Sequence, residues 1–272
     1  MKKMFVKISA LSITLVVAAS CSKTGPTGPS GATGATGPIL TGNMQGTVAL
    51  YDVSGAKQLS PTLLGGDTVV LTNSSNGTTW KTVTNASGDY LFSNITSGTY
   101  STTVTKPLYG KVVTQGIQFV GGGNSDRNYA LSVVPTTSVS SLVIDDSTFT
   151  TNGAGNVAQN YVKIRGNVPV SAGETTVIIF VSMPGANSTS STVGNYSSTY
   201  TTTIAPGVNK FTIEIPNANL YDLGFISGNM AYFAAYIIGG TTSASSYVDW
   251  TTGQTVYTAL SSTPVNTSIQ VQ

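Results

Sequence analysis

Hydrophobic and polar residues alternate with a period of two along most of the chain after residue 42, which predicts strands and not helices. Glycine, asparagine and serine separate the alternating runs and favour turns there. In the first part of this region we predict strands at residues 46–52, 67–72, 80–84, 90–92, 99–105, 112–120 and 128–134. This density of short strands predicts a β-sandwich over residues 42–134.

A second series of strands follows a short linker at residues 135–138. We predict them at residues 142–145, 161–168, 175–183, 199–204, 210–215, 230–238, 255–260 and 267–271. Phe211, Ile213 and Ile215 alternate with polar residues, which indicates a strand with one exposed face. Residues 177–181 and 230–238 are apolar on both faces and are therefore predicted as central strands. Residues 135–272 thus predict a second sandwich, of immunoglobulin or fibronectin type III kind.

The first 20 residues have the pattern of a secretory signal peptide. Lys2, Lys3 and Lys7 accompany an apolar run of about 12 residues, too short for a membrane-spanning helix of about 20. The run ends in Ala-Ala-Ser before Cys21, which resembles the lipobox of bacterial lipoproteins, where the cysteine is lipidated and becomes the N-terminus. The alternative is an ordinary signal peptide with a chance cysteine. We favour lipidation of Cys21, which would hold the protein at a membrane.

Glycine recurs at every third position from Gly25 to Gly37. A collagen-like triple helix requires this period, because only glycine fits at its axis. The tract is short for a triple helix and lacks proline in the third position, so we favour an extended linker over residues 21–41. Short Gly-Pro-Xaa tracts after a lipobox resemble those of Bacteroidetes lipoproteins. The resemblance implies an outer-membrane location, with the cell surface and the periplasmic face both open.

The composition argues against several classes of function. Only 8% of the residues are charged. Without the three lysines of the leader, nine basic and ten acidic side chains remain. No basic stripe remains to neutralise phosphates, so we expect no nucleic-acid partner. The chain has no histidine and one cysteine, which argues against most metal and haem sites and removes the commonest general base.

One segment resembles a known family. Residues 84–100 contain Gly88-Asp-Tyr90-Leu-Phe92, followed by Ile95 and by Gly98-Thr-Tyr100. This spacing resembles the carboxypeptidase regulatory-like family, whose fold is a small transthyretin-like β-sandwich. The resemblance implies that fold for residues 42–134 and implies no peptidase activity. The glycines suit turns and the aromatic residues suit a core, so we interpret them as determinants of the fold.

No constellation in the sequence supports catalysis. A Gly-Xaa-Ser-Xaa-Gly elbow is absent, and the glycine-rich stretch at residues 153–158 leads into a strand and not a helix. Asp145 and Asp146 are adjacent and would point to opposite faces of a strand. Asn124, Asp126 and Asn128 are interpreted as a turn and not as calcium ligands. We therefore expect no enzyme and no cofactor.

Two hypotheses of function remain. The leading one is a lipid-anchored, non-catalytic envelope module, structural or protein-binding, displayed on a spacer. The alternative is a carbohydrate-binding surface lipoprotein, in which exposed aromatic rings stack on sugars; the candidates are Trp80, Tyr247, Trp250 and Tyr257. Core packing is the competing interpretation of these four rings. Asp67-Thr68-Val69 and Asp146-Ser147-Thr148 resemble an O-glycosylation acceptor of Bacteroidetes envelope proteins, which makes Thr68 and Ser147 candidate glycosylation sites.

Overall fold

The computed structural model describes residues 39–147, 161–183, 196–226, 228–240 and 246–271. Residues Ile39–Gln272 form one compact unit. Within it lie two large hydrophobic cores, one built from residues between Met44 and Leu131 and the other from residues between Val139 and Val271. The predicted signal peptide, Cys21 and the glycine-rich tract fall outside the described residues.

The first core lies between two sheets. One sheet places β1 (Thr41–Tyr51) antiparallel to β4 (Asp89–Thr96) and parallel to β7 (Asn124–Asp126) and β8 (Tyr129–Ser132). The other sheet is antiparallel, in the order β3 (Thr79–Val83), β2 (Thr68–Asn73), β5 (Gly98–Thr105) and β6 (Val112–Phe119). A four-residue helix, α1 (Pro61–Leu64), precedes β2.

Alternation along these strands builds the first core. In β4 the buried side chains are Tyr90 and Phe92, and then Ile95 after a break in the period. The break is a β-bulge, because two residues of β4 oppose the single Asn43 of β1, and Asn94 in the bulge has a positive φ of 58°. The bulge turns Ile95 back into the core, where it is fully buried.

A buried ion pair crosses from the start of β2 to the end of β5. Lys106 Nζ lies 2.5 Å from Asp67 Oδ1, and the Asp67 side chain is 0% exposed. Lys106 Nζ also donates to the carbonyl of Gly65, and Asp67 Oδ2 has no hydrogen-bond partner among the residues that the structure describes. Burial raises the pKa of Asp67, while the hydrogen bond and the charge of Lys106 act in the opposite direction.

The second core also lies between two sheets. The three-stranded sheet has the order β13 (Lys210–Pro216), β10 (Tyr161–Asn167) and β9 (Ser141–Ser147). The four-stranded sheet has the order β12 (Ser198–Ile204), β11 (Thr175–Ser182), β14 (Met230–Ile238) and β17 (Val265–Gln270). A short helix, α2 (Asn217–Asp222), joins β13 to β14. Seven strands in sheets of three and four match the predicted immunoglobulin-like architecture.

The prediction of central strands is confirmed, because β11 and β14 each lie between two neighbours. Val177 and Ile179 of β11 face the core between the sheets, whereas Ile178 and Phe180 face a third apolar cluster on the outward side. Leu260 and the half-buried Tyr257 complete that cluster. Each face of this sheet packs against other parts of the chain, and this burial explains why both faces are apolar.

Tyr196, just before β12, also packs on the third apolar cluster, and Tyr257 and Leu260 come from the long connection between β14 and β17. Its hairpin pairs β15 (Ser246–Val248) with β16 (Thr255–Tyr257). The same connection reaches the first sandwich: Thr258 Oγ1 donates to the carbonyl of Lys111 at 2.8 Å. A Cβ on Gly110 would stand 2.6 Å from that hydroxyl, so the two segments meet at a distance that only glycine allows.

The all-β, double-sandwich prediction is confirmed, with differences in detail. Strand β1 begins at Thr41, five residues before the predicted start, and the predicted strand 255–260 is shortened to Thr255–Tyr257. Strands β7 and β15, each three residues long, and the two short helices were not predicted. Such short elements carry too few residues to show a period.

Candidate functional site

The outward face of the sheet formed by β4, β1 and β7 is open and polar. Alternation in β1 places Asn43, Gln45 and Thr47 on this face, while Met44 and Val48 point into the core. The neighbouring strand β4 adds Asp89 and Leu91, which are exposed. Gln45, Thr47, Asp89 and Leu91 line a depression of about 670 Å³.

Three side-chain pairs join β1 to the β7 segment across this face. Asn43 Nδ2 donates to Asn124 Oδ1 at 3.0 Å, and Gln45 Nε2 donates to Asp126 Oδ1 at 3.0 Å. The backbone N–H and the hydroxyl of Thr47 both donate to Asn128 Oδ1, at 2.9 and 3.2 Å. We call these six residues the polar ladder. The parallel register of β1 and β7 sets its first two pairs directly opposite each other.

A second depression, of about 730 Å³, lies where the β15–β16 hairpin approaches the first sandwich. It is lined by Ala49 of β1 and Ala130 of β8, together with Lys57, Tyr247 and Trp250. Trp250 is 64% exposed, although it is the largest side-chain type. Tryptophan side chains are highly buried on average, so this indole is more exposed than is usual for its type.

A β-bulge in β6 holds Trp250 in place. Gln115 and Gly116 together oppose the single Ser101 of β5, and Gly116 has a positive φ of 66°. The bulge directs Gln115 towards the hairpin, where its Oε1 accepts the backbone N–H of Trp250 at 3.1 Å. A Cβ on Gly116 would overlap the six-membered ring of Trp250, so the indole lies directly on this glycine.

The depressions join into one surface. Thr47 and Asn128 line both the polar-ladder depression and the hairpin depression, and a third depression of about 570 Å³ shares Gln115 and Asn128 with the latter. We call the joined surface the trough: four ladder residues (Gln45, Thr47, Asp126 and Asn128) line one end, and Tyr247 and Trp250 line the other. Beneath the ladder, the Tyr90 hydroxyl donates to the carbonyl of Arg127 at 2.7 Å, and burial raises the pKa of Tyr90, so its proton stays in place.

The structure separates the four predicted stacking residues into two groups. Trp80 is half-buried and packs edge-to-face on Tyr100, with ring centroids 5.8 Å apart. Tyr257 packs on Phe180 in the third cluster at 5.4 Å. Only Tyr247 and Trp250 line the trough. Stacking on a ligand stays a prediction for these two, while the first two rings occupy packing positions.

The predicted glycosylation residues lie in strands. Thr68 is half-buried at the start of β2, and the preceding Asp67 is occupied by its ion pair with Lys106. Ser147 is the last residue of β9 and pairs with Val162 through the backbone. Glycosylation at Thr68 and Ser147 remains a prediction. Within the described ranges, no helix has the length and hydrophobicity to cross a membrane.

Asn124 and Asp126 lie in β7 and Asn128 lies just before β8, and their side chains form hydrogen bonds with β1. The interpretation as a turn was therefore wrong for Asn124 and Asp126, which are in a strand. Asp145 forms an ion pair with Arg165. In the part of the chain that the structure describes, no group of three or more His, Cys, Asp or Glu side chains is placed to hold a metal ion.

Sequence reasoning missed the polar ladder. Its signal was present as polar residues at every second position of both segments, 43–47 and 124–128. The pairing could not be inferred, because the two segments are 81 residues apart and only the parallel register brings them together.

Comparison with known proteins bears mainly on the first sandwich. Residues 59–132 match the model of the carboxypeptidase regulatory-like domain, which confirms the resemblance stated for this part of the chain. No curated protein matches the sequence.

Three solved structures illustrate the similarity. A cohesin–X-dockerin complex from Acetivibrio cellulolyticus is 19% identical with a TM-score of 0.28, and the alignment covers 34% of this chain and 58% of that one. A candidate carbohydrate binding protein from Bacteroides uniformis is 12% identical with a TM-score of 0.26, covering 85% and 100%. A DUF3823 family protein from Parabacteroides merdae is 11% identical with a TM-score of 0.25, covering 84% and 100%. At these TM-scores the similarity decides nothing about the ligand.

Proposed function

We propose that the protein is a lipid-anchored, non-catalytic carbohydrate-binding module of the cell envelope. The observation that carries this proposal is Trp250, an indole 64% exposed, seated on Gly116 and placed beside Tyr247 in the trough. Between the two hypotheses from the sequence, this geometry favours carbohydrate over a purely structural or protein-binding role.

The chemistry of the trough supports a saccharide. A sugar ring presents a face of C–H groups that packs on an aromatic face, and a rim of hydroxyls that need hydrogen-bond partners. Trp250 offers the aromatic face, and Gln115, Thr47 and Asn128 offer polar groups next to it. In binding sites that are mostly apolar, a few fixed polar groups set the orientation of the ligand.

Binding is tested with the full chain in detergent, by retardation in native gels that contain soluble polysaccharides. Trp250→Ala should lower the affinity derived from the retardation about tenfold, because the loss of a stacking contact costs about 1.4 kcal/mol of binding free energy. Tyr232→Ala is the matched control, because Tyr232 is a partly exposed ring on β14 outside the trough. If no polysaccharide retards the wild type, or if both variants lose affinity equally, carbohydrate binding at the trough is wrong and a protein partner becomes the better hypothesis.

The anchor is a separate part of the proposal. Lipidation of Cys21 would place the module at the outer membrane on the spacer of residues 21–41, with either face of the membrane open. Cys21→Ala should move the protein from the membrane to the soluble fraction and remove the lipid increment from the intact mass. Protease treatment of intact cells then distinguishes the cell surface, where the wild type is degraded, from the periplasmic face, where it is protected.

A further inference from the structure

Two chemically different halves meet in the trough, and together they indicate which saccharides fit. We propose, resting on the proposed function, that the trough binds an internal stretch of a neutral polysaccharide, with one sugar on Trp250 and the following sugars on the polar ladder.

The ladder is preorganised for hydroxyl groups. Where the ladder lines the trough, the amides of Gln45 and Asn128 each have two donor hydrogens and two acceptor lone pairs, and the pairing across the strands uses only part of them. The pairing fixes each side chain, so a ligand need not immobilise it. The Asn128 side chain is exposed and lines both depressions, which leaves its unused groups open to a ligand.

The charges at the ladder end favour neutral ligands. The ladder depression is lined by the carboxylates of Asp89 and Asp126 and, among its described lining residues, by no Lys or Arg. Carboxylates accept hydrogen bonds from hydroxyls but repel the carboxylates and sulfates of acidic polysaccharides. The two cations of the trough, Lys57 and Arg127, line the other depressions.

The length of the trough requires a chain. Along β1 its lining runs from Gln45 in the ladder depression to Tyr51 in the hairpin depression, about 20 Å of strand at ~3.3 Å per residue. The Trp250 end begins on the opposite side of Thr47 and Asn128, which both depressions share. A monosaccharide can occupy one end only, so affinity should rise with chain length beyond the disaccharide.

The proposal is tested with full-length protein in detergent, in gels that contain either neutral polysaccharides (galactomannan, xyloglucan) or acidic ones (polygalacturonate, alginate). We expect retardation by at least one neutral polymer and none by the acidic ones. Gln45→Ala should weaken neutral binding several-fold. Asn167→Ala should leave it unchanged; Asn167 makes the same kind of cross-strand bond, to Ser141, on the other sandwich.

A double variant tests the charge argument directly. Asp89→Asn with Asp126→Asn keeps an acceptor oxygen at each position and removes both charges, so it should begin to bind the acidic polymers. Retardation of the wild type by acidic polymers, no effect of Gln45→Ala, or equal affinity for a monosaccharide and a long oligosaccharide would each overturn the proposal. Each of these outcomes leaves a Trp250-dependent site standing, whereas the absence of any saccharide binding defeats the proposed function itself.

Discussion

The two sandwiches differ in the outward face of one sheet: it is exposed and polar in the first sandwich and buried and apolar in the second. The sheet of β4, β1 and β7 leaves its outward face open, with paired amides, carboxylates and hydroxyls on it. The sheet of β12, β11, β14 and β17 buries its outward face, which carries Ile178, Phe180 and Tyr236. Both strands at the centre of the second sheet are apolar on both sides for this reason.

One segment contributes to both of these faces. The connection between β14 and β17 covers the second sheet with Tyr257 and Leu260, and the same connection brings Trp250 to the first sandwich. The same connection therefore helps to bury one sheet and supplies Trp250 to the trough. A long connection in a sandwich is a natural place for function, because it is positioned by rigid strands on either side.

The largest effect should come from the buried outward face. Phe180 is fully buried and contacts the rings of Tyr196, Tyr236 and Tyr257. Phe180→Ala should lower the free energy of unfolding by about 4 kcal/mol, because it removes this contact surface and leaves a cavity. Leu91→Ala, on the open face, should change it by less than ~0.5 kcal/mol. Urea denaturation of both variants measures the contrast; equal losses would show that the two faces do not differ in burial.

The ion pair in the first sandwich should have the next largest effect. Lys106→Met leaves Asp67 buried without its partner, which should cost about 3 kcal/mol at neutral pH. The loss should depend on pH. Burial already raises the pKa of Asp67, and the substitution removes the bond and the charge of Lys106 that oppose the rise, so the pKa rises further.

The sign of that dependence follows from proton linkage. Folded Asp67 binds its proton more tightly than the unfolded chain does, so its contribution to stability is greatest below the ordinary pKa of aspartate and is lost as the pH rises through the folded value. The deficit of Lys106→Met should therefore shrink as the pH is lowered from 7 towards about 4. The double variant with Asp67→Asn should lack this recovery. A deficit that is constant over the range would contradict the assignment.

A smaller effect is expected at the junction between the sandwiches. Gly116→Ala introduces a Cβ at a positive φ and against the ring of Trp250, which should cost about 1–2 kcal/mol of stability. It should also displace the indole from the trough and weaken saccharide binding as much as Trp250→Ala does. Gly207→Ala, also at a positive φ but in open space, controls for backbone strain alone. Loss of stability without loss of binding would show that the seat on Gly116 does not matter.

The sequence predicted what depends on local periodicity and missed what depends on distant contacts. The alternation of Phe211, Ile213 and Ile215 and the two-sided apolar character of β11 and β14 were sufficient to place those strands. Trp250 and Tyr257 could not be told apart, because both stand in Thr-rich surroundings of the same connection. Their exposure depends on which sheet each part of the connection reaches, and that is fixed by contacts more than 100 residues away, such as that between Trp250 and Gln115.

The smallest effect should come from an ion pair of the same chemical type on an open face. Lys163 Nζ and Glu214 Oε1 lie 3.6 Å apart on β10 and β13, with side chains 31% and 51% exposed. Water screens this pair and solvates either partner alone, so Glu214→Gln should change the free energy of unfolding by less than ~0.5 kcal/mol. Raising the salt concentration should reduce even that difference, whereas it should leave the Lys106→Met deficit nearly unchanged, since salt screens buried charges much less. If Glu214→Gln and Lys106→Met lower the free energy of unfolding equally, burial does not distinguish the two ion pairs. The contrast between covered and open surfaces would then not extend to charged side chains.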